Sequence, residues 1–120
     1  FLKFCQCVSR WVRDKEAHAV AVQEHNLHPK SKDALTRVAD YYGLHLVIGF
    51  STSSDHRGGA LLLTDETIVP FVKELHARPN LARAVYDYHG KEVDLASVYA
   101  PSNAGKRLDF FNKLHKFIIK

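Results

Sequence analysis

Ala19-Val20-Ala21-Val22-Gln23-Glu24 is a short apolar run that ends abruptly in an amide and a carboxylate. A run of this kind is typical of a fully buried β-strand. Gln23 and Glu24 would then emerge where the strand leaves the sheet, and α/β proteins bind ligands in the crevice outside strand ends. Glu24 is therefore a candidate metal ligand or base. The alternative is a solvated carboxylate in a loop.

Helix and strand patterns alternate on both sides of this run. Apolar residues at helical spacing predict helices at 4–15, at 32–42 and after Asn103. Short β-prone runs predict strands at 19–23, 44–50, 60–63, 81–88 and 92–99. Residues 67–75 fit either a strand or a helix, and Pro70 favours an irregular edge strand, because proline disrupts a helix interior and lacks the N–H of a ladder bond. We therefore expect an α/β or α+β domain with helices packed on a mainly mixed sheet.

Two helices carry further expectations about their faces. Trp11 is predicted to anchor the first helix in the core. The charges at Lys106, Arg107, Lys113 and Lys116 are most simply a solvated face of the last helix. The predicted apolar face of that helix consists of Leu108, Phe111, Leu114, His115 and Ile118.

Composition sets broad limits on the class of protein. The 120 residues suit one domain or part of one, and 46% apolar residues is an ordinary globular value. No apolar run approaches the ~18 residues of a membrane span, and no signal-peptide pattern begins the chain.

Cys5 and Cys7 are too few for a disulfide framework or a zinc finger, which favours an intracellular or nuclear protein with reduced thiols. The net charge of +4 favours an anionic partner such as nucleic acid. Because the chain starts at Phe1 and lacks methionine, we expect it to be part of a longer reading frame.

Four motifs in order resemble the endonuclease/exonuclease/phosphatase superfamily. The first is the run 19–24 with its Gln-Glu end, followed by Leu27. The second is Arg57-Gly58-Gly59 before an apolar strand, and the third is the strand end Ser97-Val98-Tyr99-Ala100-Pro101. The fourth is a charged helix with Asp109-Phe110-Phe111, as in the endonuclease domains of non-LTR retrotransposons. The resemblance covers most of residues 4–115.

The resemblance implies a partial four-layered α/β sandwich that cleaves phosphodiesters, with DNA the favoured substrate. It implies Mg²⁺ or Mn²⁺ as cofactor, since phosphodiester cleavage needs a hard cation held by oxygen ligands. Glu24 would be the metal ligand, and Gln23 would brace its carboxylate. Tyr99 would place its phenol near the scissile phosphate.

The sequence departs from the family pattern in several places. The family has an asparagine directly after the Tyr-Ala-Pro motif, whereas this chain has Ser102 and then Asn103. Together with Arg57, these two residues are the candidate contacts to substrate phosphate. The family's N-terminal asparagine, its Asp-x-Asn pair and its terminal Ser-Asp-His are not found at matching positions. The tripeptide 54–56 spells Ser-Asp-His, but it stands in an early loop and we assign it no catalytic role.

Plainer readings stand beside these assignments. Tyr99 is otherwise a strand-end aromatic packed on a neighbour, and Arg57 is otherwise an ordinary surface arginine. His25, His28 and His56 match no zinc spacing and read as scattered surface histidines.

Two hypotheses follow. In the first, residues 1–120 are part of a metal-dependent endonuclease domain from a retrotransposon reading frame, with reverse transcriptase sequence downstream, and this chain alone is inactive. In the second, the chain is a non-catalytic remnant or a nucleic-acid-binding module of the same fold.

Overall fold

The computed structural model describes residues 1–100 and 103–118, with the backbone alone for 115–118. The helices are α1 (Leu2–Arg13), α2 (Lys32–Tyr41) and α3 (Ala104–Ile118). The strands are β1 (Ala19–Gln23), β2 (Leu44–Gly49), β3 (Ala60–Asp65), β4 (Val72–Arg78), β5 (Leu81–Tyr88) and β6 (Lys91–Val98). Two short 3-10 helices occupy Pro29–Ser31 and Glu66–Phe71. None of the helices in the described part of the chain is long and apolar enough to cross a membrane.

The strands form two three-stranded sheets, with the orders β1-β3-β2 and β4-β5-β6. The α+β class is confirmed, but the expectation of a mixed sheet is wrong, because every neighbouring pair is antiparallel. β1 and β2 run in the same direction across the α2 connection. The later strand β3 lies between them and pairs antiparallel with both.

Two apolar interfaces divide the domain into three layers. Helices α1 and α2 cover one face of the first sheet, where Val8 and Leu35 pack with Leu61 and Leu63. The second sheet covers the other face, where Leu62 packs with Tyr86 and its neighbours. Leu61, Leu62 and Leu63 are all buried because β3 is central and covered on both sides. Each such leucine contributes about 1.5–3 kcal/mol of hydrophobic stabilisation.

The run Ala19–Val22 is not the fully buried strand that its apolarity predicts. β1 lies at the edge of the first sheet and pairs only with β3. Val20 and Val22 pack against the helix-side core, whereas Ala21 is exposed. Edge position therefore overrides the apolar pattern, and the continuously buried strand is β3.

The segment from 66 to 78 begins as a helix and continues as the predicted edge strand. Pro70 lies in the 3-10 helix Glu66–Phe71, and β4 then follows at the edge of the second sheet. Its pairing with β5 is irregular between Val72 and Glu74. The predicted hairpin is confirmed, since Tyr88 pairs with Lys91 across a turn at His89 and Gly90.

The outer face of the second sheet is covered by charged side chains. Arg83 donates hydrogen bonds to both carboxylate oxygens of Asp94, at 2.9 and 2.7 Å. Val85, which lies two residues after Arg83 on β5 and pairs with Asp94 on β6, is fully buried. The Arg83 guanidinium lowers the pKa of the Asp94 carboxyl, mainly through these hydrogen bonds.

Two expectations about helix faces are wrong. Leu108 and Phe111 in α3 are 65% and 47% exposed, whereas Leu114 is half-buried as predicted and is joined by Phe110, which was not predicted. Phe110 and Leu114 lie one helical turn apart and face the segment 78–81 between β4 and β5. Trp11 is 39% exposed, so it lies at the margin of the core. The side chains of His115 and Ile118 lie outside the described residues.

Candidate functional site

Strand ends from both sheets meet at one edge of the domain. In the first sheet, Gln23 of β1 and Gly49 of β2 both pair with Ala60, the first residue of β3. In the second sheet, the end of β4 and the start of β5 meet the end of β6. The Ser97 hydroxyl of β6 donates a hydrogen bond of 2.9 Å to the Val22 carbonyl oxygen, which joins the two sheets at this edge. Residues that follow β1 and β6 therefore lie close together.

Gly58 and Gly59 form the centre of this edge, and we call them the glycine pair. The Gly59 carbonyl oxygen accepts a hydrogen bond of 2.8 Å from the Glu24 amide. Asn26 binds Gly58 twice, through its side-chain oxygen at 2.8 Å and its own amide at 3.0 Å. The Asn80 side-chain oxygen accepts a 2.8 Å hydrogen bond from the Gly59 amide. Two separate segments, the one after β1 and the one between β4 and β5, are thus fastened to the glycine pair.

Tyr99 lies against the other side of the glycine pair. A Cβ placed on Gly58 would come within 2.8 Å of Cε2 in the Tyr99 ring, so only glycine leaves room for the phenol. The Tyr99 amide donates a hydrogen bond of 3.0 Å to the carbonyl oxygen of Asn80. Glu24 and Tyr99, which are distant in the sequence, therefore both contact one dipeptide.

Glu24 ends β1 in a left-handed conformation, with φ of 57°. That conformation is uncommon for a residue other than glycine and breaks the alternation of the strand. Its side chain is exposed, as is that of Gln23. Among the described residues, no hydrogen bond joins Gln23 to Glu24, so the predicted bracing of the carboxylate is not formed here.

His25 has a structural position that the sequence does not reveal. Its Nδ1 accepts a hydrogen bond of 2.9 Å from the Leu27 amide, and its Nε2 lies 2.9 Å from the Gly49 carbonyl oxygen. These contacts require the neutral ring with its proton on Nε2. Burial lowers the pKa of His25, and the hydrogen bond to Gly49 acts in the opposite direction. The ring also occupies the space that a side chain at Gly59 would need.

The loop after β2 is closed by its own polar groups. The Asp55 carboxylate accepts hydrogen bonds from the Ser53 hydroxyl at 2.7 Å and from the Arg57 amide at 3.2 Å. The Ser53 contact is the main cause that lowers the pKa of Asp55. The tripeptide 54–56 thus supplies turn contacts within this loop. The His56 ring lies 4.1 Å from the His28 ring, centroid to centroid, which links the loop to the segment after β1.

The candidate phosphate contacts have different positions. Arg57 lies beside the glycine pair, and its side chain is 79% exposed. Asn103 caps α3, because its side-chain oxygen accepts a hydrogen bond of 3.1 Å from the Lys106 amide. Ser102 lies outside the described residues.

The fit of this edge to a metal ion is partial. Among the described residues, no group of three or more His, Cys, Asp or Glu side chains is arranged to hold a metal. Mg²⁺ is usually bound by one or two carboxylates, with waters and substrate phosphates as its other ligands. Glu24 supplies one exposed carboxylate. The side-chain oxygens of Asn26 and Asn80 are already engaged by the glycine pair.

The structural roles of three residues at this edge were not predicted from the sequence, namely those of His25, Asn26 and Asn80. Asn80 follows Pro79 before a strand, so it reads as an ordinary turn residue. The signal that was available is Gly58-Gly59 itself, because adjacent glycines before a buried strand indicate close approach by other backbone. Comparison of the sequence with models of protein families and with curated proteins gave no match.

Proposed function

We propose that this chain is part of a metal-dependent phosphodiester hydrolase domain that acts on DNA. It resembles the endonucleases of the endonuclease/exonuclease/phosphatase superfamily, in particular those of non-LTR retrotransposons. The observation that carries the proposal is the convergence of Glu24 and Tyr99 on the glycine pair. The resemblance rests on these same motifs, and they occupy one edge of the domain although they are far apart in sequence.

In this proposal Glu24 holds Mg²⁺ or Mn²⁺ as its one carboxylate ligand from this chain. The ion, when bound, would offset charge on the phosphoryl oxygens. The Tyr99 phenol orients the scissile phosphate, and Arg57 attracts the phosphate from the adjacent loop. The glycine pair holds the Glu24 backbone and the Tyr99 ring at the same edge. Gln23, Ser102 and Asn103 are proposed to support the carboxylate and the phosphate when substrate is bound.

The second candidate function is that of a nucleic-acid-binding module without catalysis. The observation in its favour is that Asn26 and Asn80 direct their oxygens to backbone amides, at 2.8 Å in each case. Those oxygens hold the loops together and are therefore not offered to a metal ion. One carboxylate does not supply a water-orienting group and a general base as well.

Plasmid nicking separates the two functions. We expect this chain alone to leave supercoiled plasmid intact in Mg²⁺ or Mn²⁺. We expect the longer reading frame to nick the plasmid, and Glu24→Gln within it to abolish nicking. Glu16→Gln is the matched control, since it removes an exposed carboxylate that lies after α1, away from the candidate edge. It should leave nicking nearly unchanged.

Two results would count against the proposal. Nicking that survives Glu24→Gln would exclude Glu24 as the metal ligand. DNA binding by the reading frame without nicking in either metal would favour the non-catalytic module. Nicking by this chain alone, abolished by Glu24→Gln, would show that the described residues suffice.

A further inference from the structure

A groove runs from the candidate edge to helix α3. It has a volume of about 380 Å3, within the range of sites for drug-sized ligands. One wall is the segment 78–81, which connects β4 to β5, and the other wall is α3. Asn80 lines the groove and also holds the glycine pair, so the groove adjoins the segment that supports the candidate site.

The charge of the groove suits a polyanion. Among the described residues that line it, Arg78, Lys106 and Lys113 are cationic and only Asp109 is anionic. Lys113 lies 3.1 Å from Asp109, one turn away on the same helix, which leaves an excess of positive charge. Lys106 and Lys113 are exposed, as predicted for the charged face of this helix, and both also border the groove.

An aromatic ring lies among these cations. Phe110 is half-buried and lines the groove, whereas its neighbour Phe111 is exposed and does not. An aromatic side chain flanked by cations is the usual arrangement for single-stranded nucleic acid, in which a base stacks on the ring and cations hold the backbone. A base pair within a duplex does not offer its face to a ring in this way.

We propose that this groove binds an unpaired nucleotide of a DNA strand, next to the phosphodiester at the candidate site. Its base stacks on Phe110, and the phosphates on either side contact Lys106 and Lys113. The inference rests on the proposed function for its choice of DNA, and it adds a preference for single-stranded or locally unpaired substrate.

Fluorescence anisotropy in EDTA tests the groove without the metal. The probes are a fluorescein-labelled oligothymidylate strand and the same strand in a duplex. We expect the chain to bind the single strand more tightly, and Phe110→Leu to weaken that binding roughly fivefold or more. Phe111→Leu is the matched control, since its ring lies 5.7 Å from that of Phe110 but does not line the groove, and it should weaken binding much less.

A charge comparison provides an independent measure. Replacing Lys106 and Lys113 together by alanine should weaken binding and make the dependence of log K on log salt shallower by about 1.4, the value for two phosphate contacts on a single strand. Replacing Lys3 and Lys91, which are exposed on α1 and at the hairpin end of β6, should leave that slope nearly unchanged.

Several outcomes would overturn the inference: equal affinity for duplex and single strand, equal effects of Phe110→Leu and Phe111→Leu, or equal slopes for the two lysine pairs. If the groove variants have no effect while nicking still depends on Glu24, the groove is wrong and the proposed function stands. If nicking fails while the groove variants behave as expected, the groove binds nucleic acid and the proposed hydrolase function is wrong.

Discussion

The Asn80 side-chain oxygen accepts a hydrogen bond of 2.8 Å from the Gly59 amide, in a buried position between the two sheets. Asn80 has φ of 59° and its own amide donates to the Phe50 carbonyl oxygen. One residue therefore ties the start of β5 to the end of β2 and to the start of β3. The candidate edge depends on this contact, because Tyr99 is bonded to the carbonyl of the same residue.

Loss of the Asn80 side chain should destabilise the domain. Asn80→Gly keeps the left-handed backbone accessible but leaves the buried Gly59 amide without its acceptor, which costs about 1–3 kcal/mol. Asn80→Ala should cost about 1–2 kcal/mol more, because alanine is strained at positive φ. Urea unfolding measures both values. Asn26→Gly is the matched control, since its bond to Gly58 is only partly buried and should cost less. Equal losses at the two positions would contradict this ranking.

Glycine at position 49 should be essential for closing the two sheets. A Cβ at Gly49 would overlap the backbone carbonyl oxygens of Arg78 and Leu81, and backbone atoms move at greater cost than side-chain ends. We expect Gly49→Ala to reduce the free energy of unfolding by about 3 kcal/mol or more, at the top of the range for overpacking.

Gly90→Ala is the matched control for that substitution. Gly90 has φ of 79° and has open space around it, so only backbone strain of about 1–2 kcal/mol is expected. Urea unfolding of both variants provides the comparison. A loss at Gly49 no larger than that at Gly90 would mean that the sheets are not in close contact at this edge.

Protonation of His25 at acidic pH should destabilise the loop after β1. Burial lowers the pKa of His25, so the folded state favours the neutral ring that accepts from Leu27 and bonds to Gly49. The stabilisation is complete above the unfolded pKa of about 6.5 and is lost as the pH falls through that value towards the lower folded pKa.

Urea midpoints from about pH 8 to about pH 5, the window in which histidine titrates, measure this effect. His25→Gln keeps a donor and an acceptor but does not titrate, so its midpoints should vary less with pH. His89→Gln, at the exposed hairpin turn, should vary as the unmodified chain does. An unchanged pH dependence in His25→Gln would exclude His25 as the source.

Sequence patterns located the elements well because they depend on local periodicity. The helices, the hairpin and most strands begin and end within a few residues of their predicted limits, whereas the edge strand predicted at 67–75 lies at Val72–Arg78, after a 3-10 helix. Sheet order was not predictable in this way, since nothing local to Ala19–Val22 shows that β3 would take the central position. The contacts of His25 and Asn80 were not predicted for the same reason, because each joins segments that are distant in sequence.

The face of α3 shows a further limit. Phe110 and Phe111 each lie about one helical turn before Leu114, and the apolar pattern alone does not choose which of the two shares its face. The choice depends on the segment 78–81, against which Phe110 and Leu114 lie.

The central claim is that Glu24 is a metal ligand at the edge where Tyr99 lies. Mn²⁺ titration of the chain, followed by electron paramagnetic resonance of the free ion, tests it most directly. We predict weak binding that is lost in Glu24→Gln and retained in both Asp55→Asn and Tyr99→Phe. Equal Mn²⁺ binding by the unmodified chain and by Glu24→Gln would contradict the claim.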